Sequence, residues 1–557
     1  MTPPEEYRPS ALIGWLYSAS IIVALYLSLK VILEWMRIDA DTSLPLILWH
    51  GVHTHGLAWL KDFVFTPDNW LFSIIPFDFL GFTLLGAKPA VVLLSGWLIF
   101  ISAAFISGVI AWQLNAKRAS FGIPLALLSA GFYAHRCGFV SYPVSHNITN
   151  LFGLVTVSLL LRWMQWQKSR SLFLMFVLLA AGAVSDPWMV AAYSLPIILL
   201  SMLLLLSSPK TMDRAACVKL FLISVVALAA VPSGFFGLLN FIPSLRQPFH
   251  FPRNHDSWKL LWDNSIFLIK DLGGLLNIVP LHHANYFDFG LVSIGAIGML
   301  FVINIAEAGW KNILASKTRF VFFLFSPISI GGTSLAFLMG LPFVGGHASD
   351  DSARFVLNDL YLIVIGLGVL MDLNWEKSTR MRRIFDMAVV GLFLIAGNVS
   401  TAWWWTKPGL TFANKDTENL IKFLRRYHLS YGYGVYWGSR ANAVTGVSDS
   451  EIRIRPVRFD ERSGRMFIGD RNQVSRRWYR PEDIPYGQKE YFVAVGHDGE
   501  ECADVGRCMR GLREQFGSPA KILRYNSFYP PLLILVWDHP LLGYQRPLGI
   551  QVAKLKE

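Results

Sequence analysis

The chain has 557 residues, of which 53% are hydrophobic, 14% aromatic and only 16% charged, which is too apolar for a soluble chain whose surface must be solvated. The net charge of +12 does not mark a nucleic-acid binder, because many basic residues stand at the ends of apolar stretches, where Lys and Arg set topology and bind lipid head groups. The expectation is a polytopic α-helical membrane protein whose partners include membrane lipids and no nucleic acid.

The first ten residues are too acidic for the start of a cleavable signal, and residues 11–33 hold no small-residue cleavage site, so that run is expected to stay as the first span. Apolar runs near bilayer length follow at 88–114, 121–138, 148–163, 171–184, 187–206, 216–241, 289–306, 320–341, 355–371 and 384–402, about eleven spans in all. The loops holding Lys117/Arg118, Lys168/Arg170, Lys210/Arg214/Lys219, Lys311/Lys317/Arg319 and Lys377/Arg380/Arg382/Arg383 fall on one side by alternation. The positive-inside rule makes that side cytoplasmic and puts residues 34–87, 243–288 and everything after 403 outside. Residues 1–402 are therefore expected to form a transmembrane module with two large outer loops, and 403–557 a separate outer domain.

The outer tail reads as α/β: a helix over 416–428, strands at 431–437, 451–457 and 490–495, a helix near 503–516 and a last strand at 531–537. Cys502 and Cys508 lie in the compartment where disulfides persist and are expected to pair, whereas Cys137 and Cys217 belong to the membrane part.

Polar residues at the outer ends of the spans are the candidates for chemistry. Asp39 and Asp41 directly follow the first span. A carboxylate beside lipid suits proton abstraction from an acceptor hydroxyl, and equally suits holding a divalent cation, magnesium or manganese, on phosphate oxygens; capping of a helix starting near Thr42 is the structural alternative. The same loop carries His50, His53, His55, Asp78 and a set of Trp residues, the pattern of amphipathic helices lying in the interface. His146 and Asp186 end short outer loops, with Asp186 before Pro187 also reading as a helix N-cap. Arg354 opens a late span from the loop holding His347. A guanidinium there suits a lipid-linked phosphate, with pairing to Asp350 or Asp351 as the alternative.

The acidic pair after the first span, the bundle, Ser352-Ala353-Arg354-Phe355 opening a late span, the loops Phe65-Thr66-Pro67-Asp68 and Ser185-Asp186-Pro187, and the tail's Gly434-Val435-Tyr436-Trp437 with Ala443-Val444-Thr445 together resemble the GT-C membrane glycosyltransferases. The likeness spans the whole chain and is greatest to the bacterial branch related to aminoarabinose and protein-mannosyl transferases. It implies an inverting transfer of a sugar from a polyprenyl-phosphate donor to a lipid-linked or cell-surface glycan on the periplasmic face of the bacterial inner membrane. It further implies Asp41 or Asp39 as base, Arg354 with His347 or Arg253 on the donor phosphate, and His146, Asp78, Asp186 and His55 as positioning groups. The chain departs from the commonest pattern in having Phe355 where an Arg-Tyr pair is frequent, and in offering two first-loop acids. Three rivals remain at this stage. One is a transporter or flippase, marked by ionisable midplane residues and repeated halves. Another is a non-catalytic assembly partner that uses the tail as a protein-binding module, in which Asp39, Asp41 and Arg354 would tolerate alanine. The third is an O-antigen-type polymerase or ligase, for which a large mid-chain outer loop with Arg246, Arg253, His255, His282 and His283 speaks.

Overall fold

The structure, a computed structural model, describes residues 11–36, 38–207, 213–229, 242, 257–276, 286–309, 312–313, 315–342, 348–405, 413–468, 472–496, 502–527 and 531–541. Helix occurs in every one of the expected apolar runs. Among the described residues seven helices are long and apolar enough to cross a membrane: Gly14–Glu34, Pro89–Gln113, Asn147–Trp166, Leu291–Ala308, Lys317–Leu338, Asp351–Trp375 and Arg380–Trp403. Ile74–Leu85, Ser169–Ser185 and Val190–Leu206 are shorter apolar helices. The run expected over 121–138 is broken: one helix, Lys117–Leu128, carries Pro124 within it and ends at Ser129, and a second, Phe132–Arg136, restarts after Gly131. The mid-chain outer segment is not all loop, because Ser257–Leu275 is helical.

The chain divides into two compact units. One takes in 1–33, 96–233 and 249–408, and the other 34–95, 234–248 and 409–557.

The first unit is the helical bundle, with one apolar core that includes Phe100, Leu154, Leu161, Phe322, Phe325 and Ile365. Close approach is set by small residues. Any Cβ on Gly153 would lie 2.2 Å from the Tyr193 ring, so glycine is what lets that ring press onto the Asn147–Trp166 helix, where its hydroxyl donates to Asn150 Oδ1 at 3.1 Å. Loops expected on one side do meet each other. Arg118 bonds Asp372 at 3.4 Å and also Glu376, while at the other end Arg136 pairs with Asp351 at 3.0 Å.

The second unit joins the first long loop to the tail. Its five-stranded sheet has the order β3-β2-β7-β9-β8, with β2 Tyr431–Gly434, β3 Arg453–Pro456, β7 Tyr491–Val495, β8 Lys521–Tyr525 and β9 Leu532–Trp537. β2 runs parallel to β3 and β7, and β9 antiparallel to β7 and β8. The helices Ala413–Arg426, Ala441–Val447 and Val505–Phe516 accompany it; Leu420, Leu424 and Val444 pack with Ile454, Phe492 and Ile534 in its core. Cys502 and Cys508 form the expected disulfide, and neither Cys137 nor Cys217 is disulfide-bonded. The loop is bound to the tail by backbone pairing as well as side chains. β1 (Phe63–Val64) pairs antiparallel with β6 (Val474–Ser475), the Trp59 and Trp478 rings lie 6.4 Å apart, and Asp62 accepts from Arg477 at 2.5 Å and Arg480 at 3.2 Å. Within the tail, β4 (Arg458–Phe459) pairs antiparallel with β5 (Met466–Phe467).

Candidate functional site

In the loop–tail unit the two first-loop acids have different surroundings. Asp39 Oδ1 accepts from the Asp41 amide at 3.1 Å, the Thr42 amide at 3.0 Å and the Thr42 hydroxyl at 2.9 Å. Its carboxylate thereby builds the turn that enters the Leu44–His55 helix, the side-chain-to-backbone bonding for which Asp is suited. Asp41 looks the other way. Its Oδ1 accepts from the Tyr436 hydroxyl at 3.0 Å and from Gln473 Nε2 at 3.1 Å, and Tyr436 also reaches Gln473 Oε1 at 2.7 Å. Gln473 takes a left-handed backbone, φ 60°, and is fixed by its amide bond to Val64 O at 2.5 Å and by Asn442 donating to its carbonyl at 2.8 Å. The loop's acid is thus held by two tail side chains, and the tail's amide by the loop.

The other first-loop candidates sit elsewhere in this unit. Trp49 stacks on His53 at 5.8 Å and meets Phe79 and Phe82 edge-on at 5.2 and 5.6 Å, which packs the Leu44–His55 helix on the Ile74–Leu85 helix. His50 lies 3.6 Å from Asp449; burial lowers its pKa and Asp449 opposes that. His55 is exposed at the end of its helix. Asp78 is fully buried, and neither carboxylate oxygen has a partner at hydrogen-bonding geometry. Burial pushes its carboxyl up to about 8, with the Ser95 hydroxyl pulling the other way.

In the bundle unit Arg354 occupies the last turn of a 3-10 helix, Asp350–Val356, which leads into the Leu357–Trp375 helix. Ser349 and Ser352 close that segment with a reciprocal capping box, the sequence signature of a helix start. Asn264 of the mid-chain helix accepts from the Ala348 amide at 2.9 Å and donates to Leu338 O at 3.1 Å, so the approach to Arg354 is fixed as well. The guanidinium lies over the rings of Phe355 at 4.9 Å and Phe139 at 5.5 Å, an arrangement that favours a cation. Its Nε is buried without a partner, and among the described residues no carboxylate pairs with it. Asp351, one of the two acids considered as an alternative partner, is taken by Arg136.

His146 and Asp186 are brought together. Asp186 Oδ2 accepts from His146 Nδ1 at 2.7 Å and also from the Thr149 hydroxyl, and Oδ1 accepts from the Trp188 amide at 3.0 Å. The last bond is the capping expected from Asp before Pro. The His146 ring lies 4.6 Å from Phe355, the ring that also carries Arg354. Tyr436, Gln473, Thr149 and Phe139 have no sequence signal of their own, although Tyr436 stands in a tail motif and Thr149 one turn beyond His146. His347 and Arg253 lie outside the described residues, as do Arg246, His255, His282 and His283.

Among the described residues no group of three or more His, Cys, Asp or Glu is arranged to hold a metal ion. Asp39 spends Oδ1 on three donors of its own turn, and Asp41 Oδ1 faces an amide and a phenol.

No protein-family model matches the chain, and no curated protein matches it in sequence. Solved structures do. ArnT from Cupriavidus metallidurans bound to undecaprenyl phosphate superposes at a TM-score of 0.56 with 12% identity, over 96% of this chain and 100% of that one. The apo state of the same protein gives 0.54 with the same identity and coverage. The chain shares the fold of these ArnT structures. Here it consists of a polytopic bundle and a small C-terminal sheet region, and the candidate residues sit on the loop–tail unit and at one end of the bundle.

Proposed function

We propose that the chain is a GT-C glycosyltransferase that moves a sugar from a polyprenyl phosphate to a lipid-linked or cell-surface glycan, on the periplasmic face of a bacterial inner membrane. The observation that carries the reading is Arg354. It is a rigidly presented guanidinium between two aromatic faces, with no carboxylate partner among the described residues, in a fold shared with a protein solved with undecaprenyl phosphate. A guanidinium so placed is suited to the charge that grows on a departing phosphate. The five basic loops on the opposite side support the orientation.

Asp41 is the better base of the two acids, because Asp39 is occupied by its turn. In this reading Asp41 takes the proton of the acceptor hydroxyl as that oxygen attacks the anomeric carbon, the bond to the phosphate oxygen breaks, and the lipid phosphate leaves as an anion that needs no acid. One displacement inverts the anomeric centre. His146, Asp186 and Asp78 remain positioning groups in this scheme.

The test is transfer from a panel of radiolabelled polyprenyl-phosphate sugars to an envelope glycan extract, using purified full-length protein. Transfer by the wild type that Asp41→Asn abolishes is the expected result. No transfer from any donor, or full activity in both Asp41→Asn and Arg354→Ala, overturns the reading.

A further inference from the structure

The tail sheet reverses its direction of winding at one point, and Asp41 is brought to that point. β3, β2 and β7 are parallel neighbours in that order. From β2 the chain crosses to β3 through the Ala441–Val447 helix, whose Val444 packs on the sheet face that carries Ile454, Phe492 and Val536. From β7 it moves the other way, to β8 and β9, through the Val505–Phe516 helix. Phe516 of that helix meets Trp537 at 6.1 Å, and Trp537 directly follows Val536, so it faces the opposite side of the sheet. Adjacent strands whose connections leave in opposite directions open a crevice beyond their carboxyl ends, which is where open α/β sheets bind their ligands.

At that end of β2 the chain runs on from Gly434 into Tyr436 and Trp437. The loop is drawn against the end of β7: a Cβ on Gly496, the residue after that strand, would lie 2.8 Å from the Gly438 carbonyl oxygen. Tyr436 is buried, with its hydroxyl 3.0 Å from Asp41 Oδ1, whereas Trp437 is 41% exposed and meets the Tyr436 ring edge-on at 5.2 Å. The indole therefore stands beside the phenol ring and the acid at its hydroxyl, so that the width of that ring separates them. A pyranose is of similar width. Its C–H face packs on an aromatic face while its hydroxyls project from the rim, where a polar group can select one of them. We propose that Trp437 is the platform of an acceptor subsite, on which a sugar ring of the acceptor glycan stacks and so presents one of its hydroxyls to Asp41. The proposal rests on the transferase reading above, with Asp41 as base, and gives the tail a part in choosing the acceptor.

Transfer is measured on the full-length protein in nanodiscs, from whichever polyprenyl-phosphate sugar supports it to the envelope glycan extract, with donor and extract varied in turn. Trp437→Leu keeps apolar bulk and removes the aromatic face; Trp437→Phe keeps a smaller face. The extract concentration that gives the half-maximal rate is expected to rise about tenfold in Trp437→Leu and clearly less in Trp437→Phe, with KM for the donor lipid at its wild-type value in both. Half-saturation does not depend on the amount of active enzyme, so a partial loss of folded protein does not enter. Wild-type half-saturation in Trp437→Leu, or a rise in Trp437→Phe as large as in Trp437→Leu, overturns the proposal. A rise in KM for the donor lipid with none for the glycan also overturns it, and would make the indole a contact to the bilayer. If Asp41→Asn abolishes transfer while Trp437→Leu keeps the wild-type half-saturation, only this proposal falls. If no polyprenyl-phosphate sugar supports transfer, the transferase reading and this proposal fall together.

Discussion

In the turn that carries Asp39 and Asp41, the acids are met by donors: the turn's own amides and hydroxyl for one, Tyr436 and Gln473 for the other. In the segment that carries Arg354 the cation lies over two aromatic faces, with no carboxylate paired to it among the described residues. In the proposed reading the contrast separates a group that must be aimed from a group that must stay available. A base works only when its lone pair is directed at one proton, so directing contacts serve it. A phosphate-binding cation already paired with a carboxylate would have to break that pair first, and aromatic faces hold it without consuming its N–H groups.

The largest effects should come from breaking the two halves of this contrast. Asp41→Asn is expected to lower the transfer rate by about 10²–10⁴, the usual worth of a positioned base, with thermal stability little changed. Asp39→Asn should keep most of the activity and lose about 1 kcal/mol of stability with its turn bonds. Initial rates and melting temperatures measured on both variants decide it, and inactivity in Asp39→Asn with activity in Asp41→Asn would exchange the two roles. Arg354→Lys should cost about 10²-fold in kcat/KM for the donor despite keeping the charge, since a point charge cannot reproduce a guanidinium stacked between two rings. Equal kinetics in the lysine variant would show that charge alone is used.

Asp78 sharpens the comparison from the stability side, being a fully buried carboxyl whose oxygens have no partner at hydrogen-bonding geometry among the described residues. Its pKa is raised to about 8 in the fold from an ordinary 3.8, so its effect has a definite sign. Below about pH 4 both folded and unfolded chains hold the proton and nothing is lost. Between about 4 and 8 only the unfolded chain ionises, so stability falls as pH rises, and above about 8 the slope from this group ends. Asp78→Leu should therefore melt higher than the wild type, by a margin that widens from pH 4 to pH 8. A constant margin across that range would show that burial of the charge is not what the substitution relieves.

Much of this was legible from the residues. Long apolar runs announce helices because few other structures satisfy the backbone in lipid, and polar residues at the ends of such runs stand out, which is how Asp41, His146, Asp186 and Arg354 could be singled out. The tail strands β2, β3, β7 and β9 read from their apolar cores. β8 did not, because Lys521–Tyr525 is an edge strand with charged and largely exposed positions and lacks the buried alternation of an inner strand. The break after Leu128 was hidden by an unbroken apolar composition across Pro124 and Gly131. The partners of Asp41 were beyond reach for a different reason: Tyr436 and Gln473 lie 395 and 432 residues away, and a contact of that separation leaves no local pattern.

Those distant partners give the smallest and most specific prediction. Tyr436 stands within reach of both Asp41 Oδ1 and Gln473 Oε1, so Tyr436→Phe removes one directing donor from the acid while Gln473 Nε2, at 3.1 Å, remains. A hydrogen bond to a charged group is worth about 1.5–3 kcal/mol, so loss of this donor should lower the rate about tenfold, with KM for the donor unchanged. Gln473→Leu removes the amide from both its neighbours. If the two side chains act as one aiming device, the double variant should lose less than the product of the single losses, since either change alone already frees the carboxylate to turn. Strict additivity would mean that Tyr436 and Gln473 touch Asp41 without jointly orienting it, and the tail would then be a scaffold for the first loop with no part in directing its acid.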